Sequence, residues 1–225
     1  FVVSMSFWGY GVNGLRNGLA TSFFIYALAG VGTNKIKLIF FMVLAYTFHQ
    51  TLLLPILTYF FTLKFTKTTL LIKLWLVMVV ISFFAGNYIE DFVTNIASLV
   101  DFGANRGQDM FADEYDGRKM NRGYRFDFIL YSGLPILLGY VYVIKKGFND
   151  LFYKRILHTY ILTNIAWVFL IYAAYSNRIA YLSWFLMPVV MIYPLLINNL
   201  FRKQNQLIGY LVFGSLFFTL ILLFL

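Results

Sequence analysis

At 225 residues, 61% of them hydrophobic and only 12% charged, the chain departs from soluble domains, which carry roughly a quarter charged and about 45–50% apolar residues. A soluble chain of this length has no interior large enough for so much apolar surface, whereas a bilayer accepts it on the outside. The net charge of +9 does not point to nucleic acid, because most Lys and Arg fall in short loops between apolar runs, where they orient a membrane protein and meet lipid phosphates. With no cysteine there is neither a disulfide framework nor thiolate chemistry.

In chain order, residues 1–8 read as the tail of an apolar helix with no basic leader and no A-x-A-like cleavage site, so they are not a signal peptide. Together with an end that is still apolar at 207–225, this leads us to expect a piece of a longer chain with further N-terminal helices. A spanning helix takes about 20 apolar residues. Apolar runs lie at 15–31, 38–63, 70–86, 127–144, 156–175, 179–200 and 207–225. The expected fold is therefore all-α, one polytopic transmembrane bundle over 1–225.

Loop charge sets the orientation. Lys64, Lys67 and Lys73, then Lys145, Lys146, Lys154 and Arg155, then Arg202 and Lys203, are placed in the cytoplasm by the positive-inside rule. The turn 176–178 and the stretch 87–126 then lie outside, the latter with seven acids and five bases. The run 38–63 is ambiguous. As one helix it would be about 39 Å long, beyond the ~30 Å core, and would put Lys35 and Lys37 outside. A bend near His49 and Pro55 keeps every lysine inside, and we favour it. Within the outer loop, Ile89, Phe92, Val93, Ile96 and Leu99 recur at helical spacing, as in a helix lying on the membrane surface. Residues 103–123 read as loop.

Charges beside apolar runs are costly and tend to face polar cavities. Arg16 stands where a helix begins, and its fork of donors suits phosphate, although an Arg there also snorkels to the interface. His49 could take a proton from a sugar hydroxyl or simply join two helices by a hydrogen bond. Arg178, after Asn177, sits in a turn too short to be a flexible loop, yet interface anchors are common at such places. Asn164 reads as a packing residue, and His158, next to Lys154 and Arg155, as structural. Arg118, Lys119, Arg122 and Arg125 lie close to Asp113, Glu114 and Asp116, either as a mixed solvated loop or as a gate over a cavity. Among the aromatic residues, Tyr124, Tyr131 and Tyr181 neighbour the polar groups. No H-E-x-x-H, P-loop, G-x-S-x-G or metal-ligand spacing is present.

Four segments carry a resemblance. They are Asn13-Gly14-Leu15-Arg16-Asn17-Gly18-Leu19-Ala20; Phe48-His49-Gln50-Thr51-Leu52-Leu53; Tyr124-Arg125-Phe126-Asp127-Phe128-Ile129-Leu130-Tyr131-Ser132 with Leu134-Pro135-Ile136; and Ser176-Asn177-Arg178-Ile179-Ala180-Tyr181-Leu182-Ser183-Trp184-Phe185-Leu186 with Pro188 and Tyr193-Pro194. In this order they resemble the C-terminal part of EpsG-like (Wzy-type) polysaccharide polymerases, with Leu52 where that family usually has Ala. The resemblance implies a GT-C-like membrane glycosyltransferase of the bacterial cytoplasmic membrane. It would build capsule, exopolysaccharide or O-antigen by moving a glycan from a polyprenyl diphosphate carrier onto a new lipid-linked repeat unit at the outer face. A chain-length regulator and export machinery are the partners it implies.

On that footing the expected reaction needs no metal and no cofactor. Arg16 and Arg178, helped by Arg125, would stabilise the leaving diphosphate, and His49 would act as base with Asp127 as the alternative. Arg122, Asn177 and Tyr181 would bind substrate. The rivals are a flippase of lipid-linked sugars, a membrane O-acyltransferase and a structural partner in export.

Overall fold

The structure is a computed structural model, and it describes residues 2, 4–64, 67–99, 114–115, 118–119, 123–173 and 176–224. Helices dominate it. The first are α1 (Met5–Asn13), α2 (Leu15–Leu28), α3 (Lys35–Phe48), α4 (Leu53–Thr62), α5 (Thr68–Phe84) and α6 (Gly86–Leu99). Then come α7 (Phe126–Tyr140, widened into a π turn over Val141–Lys145), α8 (Leu151–Phe169), α9 (Ser176–Trp184), α10 (Met187–Ile197) and α11 (Gln204–Phe224). Within the stretch read as loop, β1 (Glu114–Tyr115) and β2 (Arg118–Lys119) form a two-residue antiparallel pair. Among the described residues, three segments are long and apolar enough to cross a membrane: Phe126–Lys145, Ser176–Ile197 and Gln204–Ile221.

The bundle is organised around α8. Polar pairs give the direction of each neighbour. Thr58 and Thr163 share a 2.8 Å hydrogen bond, and Arg155 donates to the Thr62 carbonyl, so α4 runs antiparallel to α8. Thr68 with His158 (2.8 Å) and Trp75 with Asn164 (2.7 Å) make α5 parallel to it. Tyr160 donates to the Ser132 carbonyl, and the Gly139 backbone meets Leu157, which sets α7 antiparallel. Ser183 accepts from Asn164 and Tyr153 donates to the Val190 carbonyl, so α9 and α10 also run against α8. Most buried polar side chains thus find partners inside the bundle, as expected where no water reaches, the Tyr10 hydroxyl and the Trp167 indole N–H being exceptions among the described residues. Large apolar side chains such as Leu74, Val77, Val80, Phe84, Leu130 and Phe213 stay exposed, the surface expected toward lipid.

The two ends of the bundle differ in chemistry. At one end lie the start of α8, the end of α4, the start of α5 and the link from α10 to α11, with Lys64, Lys67, Lys145, Lys146, Lys154, Arg155, Arg202 and Lys203. We call this the basic end. The polar end holds the starts of α7 and α9 and the end of α5. This is the sorting of charge that loop composition leads one to expect.

Residues 38–63 form two helices, the bent alternative favoured above, with a change of detail in where the bend lies. Helix α3 has 14 residues, about 21 Å at 1.5 Å per residue, and it stops at His49, whose backbone is extended (φ −153°, ψ 118°). A short 3-10 turn, Gln50–Leu52, follows, and then α4, with Pro55 in its first turn, where the missing N–H has no intrahelical partner to lose. The break is therefore at His49 and not at the proline. The helix expected at 87–99 is present as α6, and Phe92 packs edge-on to Phe169 with ring centroids 6.5 Å apart.

Helices α2 and α3 form an antiparallel hairpin. Phe23 stacks on Phe41, Tyr26 packs edge-on to Phe41, and the Lys37 ammonium lies 3.9 Å from the Tyr26 ring centre. Their connection needs Gly32, at φ +79°, where a side chain would be strained, and Asn34 caps α3 by accepting from the Lys37 N–H. Phe24 of α2 meets Phe185 in mid-bundle, so α2 descends from the polar end, α3 returns to it and α4 descends again. The chain reverses at His49, which is the bent arrangement favoured above.

Candidate functional site

The reversal brings two of the sequence motifs together. The His49 ring is half-buried, with Nδ1 2.7 Å from Thr51 Oγ1, and Thr51 in turn donates to Asn17 Oδ1 at 3.2 Å. An amide oxygen only accepts, so Thr51 uses its hydrogen there and takes one from Nδ1–H. In this arrangement Nε2 carries a free lone pair and has no partner among the described residues. Nδ1 also lies 3.3 Å from the Thr51 backbone N–H. That longer contact would count only in the other tautomer, and we take the shorter one to decide. Arg16, next to Asn17, is exposed and close enough for its charge to act on the His49 ring. One helix start and one helix break, joined by the Thr51–Asn17 hydrogen bond, therefore bring the Arg16 and His49 segments together.

The fourth motif forms a second group. Asn177 is half-buried and its side-chain oxygen accepts from the Arg178 backbone N–H at 3.0 Å, while Arg178 is exposed; both lie within electrostatic reach of the Tyr181 hydroxyl. Tyr181 itself is nearly buried and packs edge-on against Tyr10 at 5.6 Å. Its ring lies so close to Gly9 that a Cβ there would fall 2.5 Å from Tyr181 Cε2.

Tyr10 stands between the two groups. A Cβ at Gly14 would fall 3.2 Å from the edge of its ring and one at Gly18 3.4 Å from its own Cβ, and its ring meets Tyr181 edge-on. Both groups, Arg16 with His49 and Asn177 with Arg178, lie at the polar end, with the buried pair Tyr10 and Tyr181 between them.

The third motif stands apart. Arg125 grips Asp127 with two parallel hydrogen bonds, Nε to Oδ1 at 2.9 Å and Nη2 to Oδ2, and its guanidinium lies 3.7 Å from the centre of the Phe128 ring. Asp127 also stands in the first turn of α7, where the helix dipole favours a negative charge. The pair connects to the rest through Phe128, Trp184 and Tyr181, with ring centroids 5.0 and 5.7 Å apart in succession. Arg122 lies outside the described residues, and of Arg118 and Lys119 only the backbone pairing is described.

Three side chains singled out in the sequence are engaged in packing. Asn164 is fully buried, accepts from Trp75 and donates to Ser183. Tyr131 presents its hydroxyl to the Met5 N–H, and Tyr124 donates to the Val79 carbonyl. Conversely, Asn17 and Thr51 stand inside the motifs quoted above, but only the fold brings them to the His49 ring. Gly9 and Tyr10 carry no sequence signal, being one of 16 glycines and one of 17 tyrosines.

The sequence model of the EpsG family matches residues 1–225, the whole chain. No curated protein and no solved structure matches it.

Proposed function

The chain belongs to the EpsG family, a Wzy-like polysaccharide polymerase family, and on that footing we propose that it polymerises lipid-linked repeat units by glycosyl transfer from a polyprenyl diphosphate carrier. One observation carries the site assignment. The reversal at His49 returns that residue to the end of the bundle that also holds Arg16, Asn177, Arg178 and Tyr181, opposite the basic end. Positive-inside logic makes the lysine end cytoplasmic, so the site faces outward, with β1, β2 and α6 in an outer loop over 87–126. The bundle is read as a single GT-C-like domain in the bacterial cytoplasmic membrane, and capsule, exopolysaccharide and O-antigen are the products it would serve.

In the proposed reaction the acceptor sugar hydroxyl attacks the anomeric carbon of the donor glycan. A new glycosidic C–O bond forms, the C–O bond to the diphosphate breaks, and polyprenyl diphosphate leaves. His49 Nε2 receives the proton of the attacking hydroxyl, with the ring held by Thr51 and Asn17. Arg16 and Arg178 supply fixed positive charge to the diphosphate as its negative charge grows. Arg125 and Asp127 neutralise each other, which favours a part in shaping the outer rim over a direct one.

The test is polymer formation in cells that depend on the full-length protein, comparing wild type with Arg178→Lys and His49→Ala at matched membrane levels. The reading expects long polymer to disappear while single repeat units still reach the cell surface. Unchanged polymer in both variants would sink the site. Disappearance of surface repeat units would instead favour a flippase.

A further inference from the structure

At the basic end, the link from α10 to α11 is held as a fixed turn by Gln204. Its side-chain oxygen accepts from the Leu200 N–H at 2.8 Å, and its amide donates to the Leu195 carbonyl at 2.6 Å. On this turn Arg202 and Lys203 are exposed, and with the side-chain amides of Asn199, Asn205 and Gln206 they line a polar hollow of about 690 Å³. Lys146, just past the π turn of α7, reaches the same turn, its ammonium 4.6 Å from the centre of the Phe201 ring. Among the described residues none of these three cations is in an ion pair. Asp150, the acid nearest to Lys146 in the sequence, caps α8 by accepting from the Tyr153 N–H.

An apolar groove of about 450 Å³ runs from this turn between the two helices that it joins. Pro188, Ile192 and Leu196 line it from α10, and Leu211, Val212 and Ser215 from α11. From Met187 to Leu196 it follows α10 for about 14 Å at 1.5 Å per residue, half of the ~30 Å hydrocarbon core. The groove is thus as long as one leaflet is deep, and the leaflet is that of the basic end, where α10 stops. Leu196 follows Leu195, whose carbonyl Gln204 holds, so hollow and groove adjoin at the end of α10. Leu196 is 69% and Val212 41% exposed, so the groove is open along its side. The segment in α11 is also the least buried of the three that are long enough to cross a membrane.

We propose that hollow and groove together bind an anionic phospholipid of the leaflet at the basic end, with its phosphate against Arg202, Lys203 and Lys146 and one acyl chain between α10 and α11. Charge complementarity selects this occupant. A cationic hollow at one end of an apolar groove matches a molecule that is negative at its head and hydrocarbon for the depth of one leaflet. A zwitterionic headgroup would bring a further cation to the three already there, and a helix of a protein partner would need an acid at that one depth. The site lies at the opposite end from Arg16, His49 and Arg178, so it goes beyond the polymerase reading and does not depend on it.

The experiment titrates full-length protein in detergent with phosphatidylglycerol and, separately, with phosphatidylcholine of the same chains, and counts bound lipid by native mass spectrometry. Wild type is expected to hold phosphatidylglycerol more tightly. Arg202→Gln combined with Lys203→Gln should raise its Kd about 25-fold, roughly fivefold for each basic residue at an anionic lipid. Lys64→Gln combined with Lys67→Gln removes the same charge from the α4–α5 link at the same end and should leave that Kd almost unchanged. Val212→Trp fills the groove from an exposed position, where the indole needs no room inside the bundle, and should weaken phosphatidylglycerol several-fold with no change of charge. Equal Kd values for the two lipids overturn the inference. Equal weakening by the two double variants does so too, because any cation at this end would then serve. Wild-type affinity in Val212→Trp also overturns it, since no acyl chain then lies in the groove; a lowered unfolding temperature beside that affinity would show that another segment of protein fills it.

Discussion

Asn17 and Thr51, 34 positions apart, are joined by a 3.2 Å hydrogen bond that ties the start of α2 to the turn after α3. It closes the α2–α3 hairpin at the polar end, and it sets which nitrogen of His49 faces outward.

Breaking this link should cost activity more than stability. Thr51→Val removes the hydroxyl between Asn17 and His49 at an exposed position. Polymerisation by purified full-length protein is expected to fall by about tenfold, because the ring loses its orientation while keeping its base. His49→Ala should fall further, by roughly 10²–10⁴, the usual range for a general base. Thr51→Ser should restore most of the rate. A Thr51→Val enzyme as fast as wild type would remove the relay from the mechanism.

A glycine pair tests the placement of Tyr181. Gly9→Ala sets a methyl 2.5 Å from Tyr181 Cε2 and 2.8 Å from Cζ, so the ring must shift from its present place. Gly11→Ala meets nothing within 4 Å. The first substitution should abolish or sharply reduce polymer without touching a charged residue, and the second should leave it intact. Equal polymer from the two would detach Tyr181 from function.

The two asparagines should separate stability from activity. Asn164→Ala leaves the Trp75 indole N–H and the Ser183 hydroxyl without their partner, and should destabilise the bundle by roughly 1 kcal/mol, the scale measured for bonds between membrane helices. Asn177→Ala, at the half-buried start of α9, should change the unfolding temperature little and polymer output strongly. Thermal unfolding in detergent alongside a polymer ladder would show whether the effects divide this way.

The Arg125–Asp127 pair is half-exposed, so its coupling should be small, on the order of 0.5 kcal/mol after solvent screening. If His49 is the base, Asp127→Asn should keep activity within about tenfold, well short of the loss expected for a missing base. A loss as large as that of His49→Ala would move the base to Asp127.

Because the chain has no cysteine, single cysteines report sidedness directly. Gln50→Cys, exposed beside His49, should react with an impermeant maleimide in intact cells, whereas Lys64→Cys and Lys203→Cys should react only after permeabilisation. Labelling of Lys64→Cys from outside would reverse the topology and turn the proposed site inward.

Composition alone determined the membrane class, since a chain this apolar has no other solvent in which its surface is stable. Loop charge sorted the basic segments to one end, and the four motifs singled out Arg16, His49 and Arg178, because a charged or polar side chain beside an apolar run stands out whatever the packing. Only the tertiary structure decided that 38–63 reverses at His49. A run of apolar residues reads the same whether it is straight or broken, and the break is held by Asn17 and Thr51 from different helices. Tyr10 was invisible for the same reason. A tyrosine in an aromatic-rich apolar stretch reads as a belt residue, and only its packing against Gly14 and Tyr181 in the fold shows that its hydroxyl is buried without a partner among the described residues.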